Sequence, residues 1–345
     1  MSKRLMCVLG LLAMVAMSTM LVGCPPKEVA DPETSPVAGE PADGPAGPAD
    51  AADGETWTVG FSNATWEDPW REVQNKEMQL EADKHPEIEL IIADGQNDNG
   101  KQIETVESFL EQGIDLLIIS PREADALTSV VKKVYDSGIP VVTIDRNINE
   151  PAYTCFIGGD NKRIGAAAAE LVIKHFGDQP AKIVEIEGVP DASATLDRKA
   201  GFEEAIADKA DLEIVYDQPA NYKRAPAVET MTAALTGNQQ IDCVYAHNDE
   251  MALGAYQAAK SVGRDGEMII IGIDAVQTEA IKAVMDGNMH ATYFYPTCGK
   301  DAIQAALKIL KGEDVDETIT LETTEITAEN AEQYYDPENT LVIQG

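Results

Sequence analysis

The sequence predicts an α/β fold built from two doubly wound parallel-sheet lobes, and three observations carry that expectation. From Trp57 onward, short β-branched runs alternate with amphipathic stretches of helical length. Most of the runs are apolar on both faces, as strands are inside a parallel sheet covered by helices, and unlike those of a half-wet antiparallel sheet. Gly113-Ile114-Asp115-Leu116 and Gly138-Ile139-Pro140-Val141 also repeat one joint, a helix-stopping glycine that leads at once into a buried strand.

Strands are expected over 58–62, 88–93, 116–120, 141–145, 154–158, 182–187, 214–217, 243–247, 268–274 and 291–295. The clearest helix puts Leu127, Val130, Val131, Val134 and Tyr135 on one face and stops at Gly138. Parallel strands need right-handed crossovers, so the first five strands form one lobe and the run from Lys182 to Asp274 a second. Polar residues follow the carboxyl ends of strands, where such sheets expose ligand sites: 63–71 after the first, Asp145-Arg146 after the fourth, then Asn248-Asp249 and Asp274. Two lobes that each bring a polar rim to one crevice make a clamp.

Composition bounds the function. The chain has 345 residues, 44% of them apolar, enough to bury a core in roughly two domains. Its 60 acidic residues against 26 basic ones give a net charge of −34, which disfavours nucleic acid as a partner, because phosphate contacts need clustered Lys and Arg. At the N-terminus, Lys3 and Arg4 precede an apolar run over 5–20, the pattern of a secretory signal. The run ends in Leu21-Val22-Gly23-Cys24, which resembles a bacterial lipobox in which Cys24 becomes the lipidated first residue of the mature chain; a plain signal peptide cut nearby is the alternative. Residues 25–55 are rich in Pro, Ala, Gly, Asp and Glu and bury too little to fold, so they are expected to act as a disordered acidic spacer between a lipid anchor and the body. Cys155, Cys243 and Cys298 remain for the exported body, each beside apolar strand-like residues, and read as buried inert thiols.

The motifs speak against other chemistries. Gly158-Gly159-Asp160 with Gly165 has the wrong spacing for a dinucleotide loop and reads better as a helix start. Gly299-Lys300-Asp301 lacks the upstream Gly and the Ser/Thr of a P-loop, and 94–100 lacks the glycine and terminal Glu of a calcium loop. With no Cys/His cluster and no GxSxG elbow, neither a metal, a cofactor nor a catalytic function is expected.

Several longer stretches together resemble a family, over nearly everything from Trp57 to about Gly312. Thr58-Val59-Gly60-Phe61-Ser62, Glu67-Asp68-Pro69-Trp70-Arg71 and Ile92-Ala93-Asp94-Gly95-Gln96 resemble the sugar-binding proteins of ABC importers, in the subgroup of the ribose and galactofuranose receptors. Leu117-Ile118-Ile119-Ser120-Pro121, Ile139 through Arg146, Asp197-Arg198-Lys199-Ala200-Gly201-Phe202 and Tyr245 through Gly254 add to the match.

The resemblance implies a type I periplasmic binding protein: two Rossmann-like lobes joined by a three-segment hinge that closes on a monosaccharide. The crossings are then expected near Gly159, near Tyr295-Pro296 and near 321–324, with one lobe over 56–159 plus 296–322 and the other over 160–295 plus 323–345. It also implies roles. Glu67, Trp70 and Arg71 match a loop that lies over the sugar, Asp145 and Arg146 a pair that bonds hydroxyls, Arg198, Asn248 and Asp274 polar contacts of the second lobe, and Tyr222 an aromatic wall. Relatives carry Gln or Glu near the final crossing, whereas this chain reads Thr292-Tyr293-Phe294-Tyr295-Pro296-Thr297, so Tyr295 stands at the last contact and the sugar's identity stays open.

These residue types suit a sugar. Carboxylates and planar guanidinium groups give charge-assisted hydrogen bonds of roughly 1.5–3 kcal/mol to hydroxyls, and Trp70 and Tyr222, with Phe61 or Trp66 in reserve, would cover its C–H faces. From spacing alone, Asp145-Arg146 also reads as a surface ion pair, Asn248 or Asp249 as a helix cap, Trp70 as core, Arg198 and Tyr222 as solvated surface and Asp274 as a turn residue. The expected partners are a monosaccharide, ABC permease subunits, and a membrane reached only through the lipid, with the body a monomer. A sensory module that presents the same clamp to a chemoreceptor or kinase is the rival, and a sugar-acting enzyme a more distant one.

Overall fold

The computed structural model describes residues 56–338 and Leu341; the expected signal segment with Cys24, and the spacer over 25–55, lie outside the described residues. The described chain runs β1 (Trp57–Asn63), α1 (Pro69–Ala82), β2 (Ile88–Asp94), α2 (Asn99–Gln112), β3 (Leu116–Ile119), α3 (Ala124–Asp136), β4 (Val141–Ile144) and β5 (Cys155–Gly159). It continues with α4 (Asn161–Phe176), β6 (Ala181–Glu187), α5 (Ser193–Ile206), β7 (Leu212–Pro219), α6 (Arg224–Gly237), β8 (Cys243–Ala246), α7 (Asp249–Ser261), β9 (Ile269–Ile271), α8 (Thr278–Met285) and β10 (Ala291–Phe294). It closes with α9 (Gly299–Leu310), β11 (Thr318–Leu321) and β12 (Thr324–Thr327). The fold is α/β, with two six-stranded sheets ordered β11-β5-β4-β3-β1-β2 and β12-β10-β9-β8-β6-β7.

The apolar runs become central strands because both sheet faces are covered. Successive strand residues point to opposite faces, and the two cores of the first lobe divide them accordingly. Leu116, Ile118, Val142 and Ile144 pack with Met78 of α1 and Ile303 of α9, while Leu117, Ile119 and Val141 pack with Val106 of α2 and Leu127 of α3. In the second lobe Val184, Ile186 and Val244 face one core, and Ile183, Cys243 and Tyr245 the other. The glycine joints work as expected: Gly113 (φ 73°) and Gly138 (φ 90°) take the left-handed conformation that stops α2 and α3.

Three segments pass between the sheets: one between β5 and α4, one between β10 and α9, and the short link between β11 and β12. The last two strands are not among those expected from the sequence, since Thr318–Leu321 and Thr324–Thr327 are short, Thr-rich and largely exposed at sheet edges. β12 is also antiparallel to β10. The other strands of its sheet end at the cleft, whereas β12 starts there, straight from β11 of the opposite lobe. Cys155, Cys243 and Cys298 are free and buried.

Candidate functional site

Helix starts and strand ends of both lobes meet at one cleft. In the first lobe Asp68 caps α1, its Oδ1 accepting the Arg71 N–H at 2.8 Å, and Pro69 occupies the first helical turn with its φ already suited to it. Trp70 and Arg71 are thereby fixed, 6% and 2% exposed. The Trp70 indole N–H donates to the Tyr295 carbonyl at 3.0 Å, and the two rings lie 5.7 Å apart. Arg71 Nη2 reaches Asp145 Oδ2 at 2.6 Å, and its Nη1 donates to Ser120 Oγ at 2.8 Å. After β4 the backbone turns within three residues, the Arg146 N–H bonding the Ile144 carbonyl at 2.6 Å around an Asp145 held at φ 61°. Arg146 then sits 5.3 Å over the ring of Tyr222 from the other lobe, with its Nη1 on the Arg122 carbonyl at 3.1 Å.

The second lobe is built around a close helix pair. A Cβ at Gly165 on α4 would lie 2.1 Å from the Arg198 carbonyl, and one at Gly201 on α5 would lie 2.0 Å from that of Lys162, so only glycine lets α5 approach this closely. That approach brings Arg198 Nε to Asn161 Oδ1 at 2.8 Å, while its Nη1 donates to the His247 carbonyl. Asn248 caps α7 through Met251 N–H at 2.9 Å and also donates to the Tyr222 carbonyl at 3.2 Å. That bond braces a Tyr222 at φ 62°, whose hydroxyl lies 2.7 Å from Thr195 Oγ1. Asp274 sits at φ 123° and meets Arg198 Nη1 at 4.0 Å. Its turn is held by Asp249, which accepts from Ala275 N–H at 2.8 Å and from Thr292 Oγ1 at 2.7 Å. Three side chains of the cleft, Asp145, Tyr222 and Asp274, thus hang on left-handed backbone, a conformation that persists only where neighbours enforce it.

Between the lobes lies a narrow cavity of about 30 Å³, lined by side chains from both of them. Nine of the ten residues expected at a ligand site line it: Trp70, Arg71, Asp145, Arg146, Arg198, Tyr222, Asn248, Asp274 and Tyr295. Glu67 does not. Its side chain leaves the cavity, 58% exposed, and pairs with Lys223 of the second lobe at 2.5 Å. The cap geometry explains the shift, since the loop residue turned into the cavity is the N-cap, Asp68, which sequence reasoning passed over together with Ala194. The Asp68-Pro69 pair before a helix was the available signal. The reserve rings are elsewhere, Phe61 fully buried in the core and Trp66 48% exposed.

Three guanidinium groups, Arg71, Arg146 and Arg198, face three carboxyl groups, Asp68, Asp145 and Asp274. Burial pushes the Asp145 carboxyl up, but Arg71, Arg146 and Arg198 outweigh it and hold the group below the usual carboxylate range. Burial lifts Asp274 well above that range, Arg198 at 4.0 Å offsetting only part. Burial and the neighbouring Arg71 cation lower Arg146, whose Nε is buried without a hydrogen-bond partner. The arrangement offers a set of donors, acceptors and aromatic faces suited to a small polar molecule.

Residues 59–314 match the model of a periplasmic binding protein domain. The chain is 37% identical to the ribose import binding protein of Bacillus subtilis, over 79% of this chain and 88% of that one. It is 36% identical to the galactofuranose-binding protein of Escherichia coli, over 76% of this chain and 85% of that one. Among solved structures it is similar to the fructose-binding periplasmic domain of a hybrid two-component system, with a TM-score of 0.78 and 35% identity over 80% of this chain and 92% of that one. With the family model covering most of the chain, and two doubly wound lobes crossed by three segments around a closed polar cavity, this protein belongs to the periplasmic binding protein family.

Proposed function

We propose that the chain is an exported, lipid-anchored receptor that captures a monosaccharide, a pentose or hexose in pyranose or furanose form, and delivers it to the permease of an ABC importer. One observation carries the reading: three guanidinium groups, three carboxyl groups and aromatic rings from both lobes converge on one narrow cleft between them. Trp70, Arg71, Asp145 and Arg146 would hold the sugar from one side, Arg198, Tyr222, Asn248, Asp274 and Tyr295 from the other. A ligand closes such a clamp only by binding the closed state better than the open one, and contacts from both lobes supply that difference. About a dozen heavy atoms at roughly 0.7 kcal/mol each give ~8 kcal/mol, or micromolar dissociation. The relatives named for ribose and galactofuranose support a sugar. The anchor rests on Cys24 and the spacer on residues 25–55 of the sequence. The protein acts as a monomer, without cofactor or turnover.

The likeness to a two-component domain supports a second reading, a sensor that presents the same clamp to a kinase or chemoreceptor. Permease and ATPase genes beside this one would favour import. Calorimetry across common pentoses and hexoses, with the recovered sugars analysed, tests the binding itself. One sugar is expected to bind at micromolar concentration and return unchanged; a screen in which none binds, or one in which the sugar is converted, overturns the proposal.

A further inference from the structure

Outside the cavity lining, a buried acid and a buried histidine face each other in the second lobe. Glu185 is on β6 and His247 follows β8, both are 0% exposed, and His247 Nε2 lies 2.9 Å from Glu185 Oε1. The Gly188 N–H points at His247 Nδ1 at 3.4 Å, which makes Nδ1 the acceptor and leaves the ring proton on Nε2, donated to Glu185. The backbone of His247 is tied as well, its N–H to the Ile186 carbonyl at 3.0 Å and its own carbonyl to Arg198 Nη1. On α5, Lys199, next to Arg198, brings Nζ to 3.6 Å from Glu185 Oε2, an ion-pair distance that leaves this buried oxygen without a hydrogen bond.

We propose that Glu185 and His247 are positioning residues for ligand capture, a buried hydrogen-bonded pair that fixes the His247 carbonyl and so aims Arg198 into the cavity. The inference rests on the reading of Arg198 as a sugar contact. β6 is an interior strand whose neighbours Val184 and Ile186 are apolar and fully buried, and a hydrophobic side chain at 185 would cost less than a carboxyl. A carboxyl there has purpose if the bond to His247 has one. Burial raises Glu185 to about 8 and, with the Arg198 cation, lowers His247 to about 3, so both are neutral at pH 7. The other charged or titratable groups facing the pair are Lys199 and Glu203 from α5, Glu187 from β6, Asp217 from β7 and Tyr245 from β8. Lys199 is neutralised by Glu187 at 2.6 Å and Asp217 at 3.0 Å, which leaves the pair without a full counter-charge of its own.

Glu185→Gln keeps a neutral acceptor for His247 Nε2, and Glu185→Leu removes it. The test compares these variants with the wild-type mature protein by near-ultraviolet circular dichroism, by the slowly rotating guanidinium NMR signals of Arg198 without ligand, and by titration with D-ribose. The expected result is that Gln preserves the Arg198 signals and the affinity, while Leu stays folded, loses the signals and binds at least about tenfold more weakly. Unchanged Arg198 signals in Glu185→Leu, or their equal loss in Glu185→Gln, would overturn the inference, even if D-ribose does not bind. Arg198→Ala serves as the control: if it binds sugar like the wild type, the reading of Arg198 as a contact fails and the NMR result still decides the positioning.

Discussion

Glu67 of the first lobe and Lys223 of the second join across the cleft at 2.5 Å, and each is the immediate chain neighbour of a cavity residue, Asp68 and Tyr222. The Asn147 N–H donates to Ser193 Oγ at 3.0 Å, a second link between the lobes. Closure is therefore secured in part by protein contacts outside the cavity. The charged pair is exposed, Glu67 58% and Lys223 41%, so its effect is modest. Lys223→Met is expected to speed sugar release roughly two- to fivefold at low salt, with little change at 1 M salt, where charges this exposed are screened. Stopped-flow dissociation measures it, and the double exchange Glu67→Lys with Lys223→Glu should restore the slow rate.

Arg146 holds its guanidinium over Tyr222, with an Nε that has no hydrogen bond and only the Asp145 carboxylate at 3.7 Å. Arg146→Ala should weaken sugar binding by at least about tenfold, the lower end for loss of a charge-assisted hydrogen bond. Arg146→Lys keeps the cation but not the planar fork, and is expected to recover only part of the affinity. Unchanged calorimetric affinity in the alanine variant would remove Arg146 from the site.

Gly165 tests whether helix packing sets the position of Arg198. An alanine there would place its Cβ 2.1 Å from the Arg198 carbonyl, which is backbone and cannot rotate away. Gly165→Ala should cost about 1–3 kcal/mol in stability, and the melting temperature should fall by roughly 2–4 °C for each kcal/mol. Sugar affinity should fall with it. Gly266→Ala, where a Cβ meets open space, is the matched control.

Glu185 makes stability depend on pH. Its folded value of about 8 lies above the unfolded 4.5, so between these two values the folded state holds a proton that the unfolded state has released. Stability from this group is full below about pH 4.5, falls by up to ~1.4 kcal/mol per pH unit as pH rises, and stays at its reduced level above about pH 8. Glu185→Gln cannot ionise. Its melting temperature relative to the wild type is expected to climb from pH 5 to pH 8 and then level off; a constant difference across that range would show that Glu185 keeps an ordinary carboxylate value.

The fold was legible wherever burial was complete. Central strands such as Leu116–Ile119 and Val141–Ile144 announce themselves because both faces are apolar, whereas β11 and β12, half-exposed at sheet edges, carry no such mark. Of the site, residues at strand ends were readable because a doubly wound sheet sends its ligand contacts there. The choice between Glu67 and Asp68 was not, since neighbours in a loop point in different directions and only the cap bond to Arg71 N–H decides which one turns inward. Alternatives that looked exclusive also coexist: Asn248 caps α7 and faces the cavity, and Trp70 packs in a core while lining it. The Glu185–His247 pair was invisible because its partners lie 62 residues apart and meet only when β6 and β8 align.

The three buried thiols are distributed, Cys155 on a strand of the first sheet, Cys243 on a strand of the second, and Cys298 in a segment that links them. Burial raises all three, Cys155 to about 11, which makes them slow to alkylate while the native packing lasts. A thiol-reactive dye thus records where the molecule has come apart: each cysteine, replaced or kept in turn, becomes a built-in clock for the local unfolding of one half or of the seam between them.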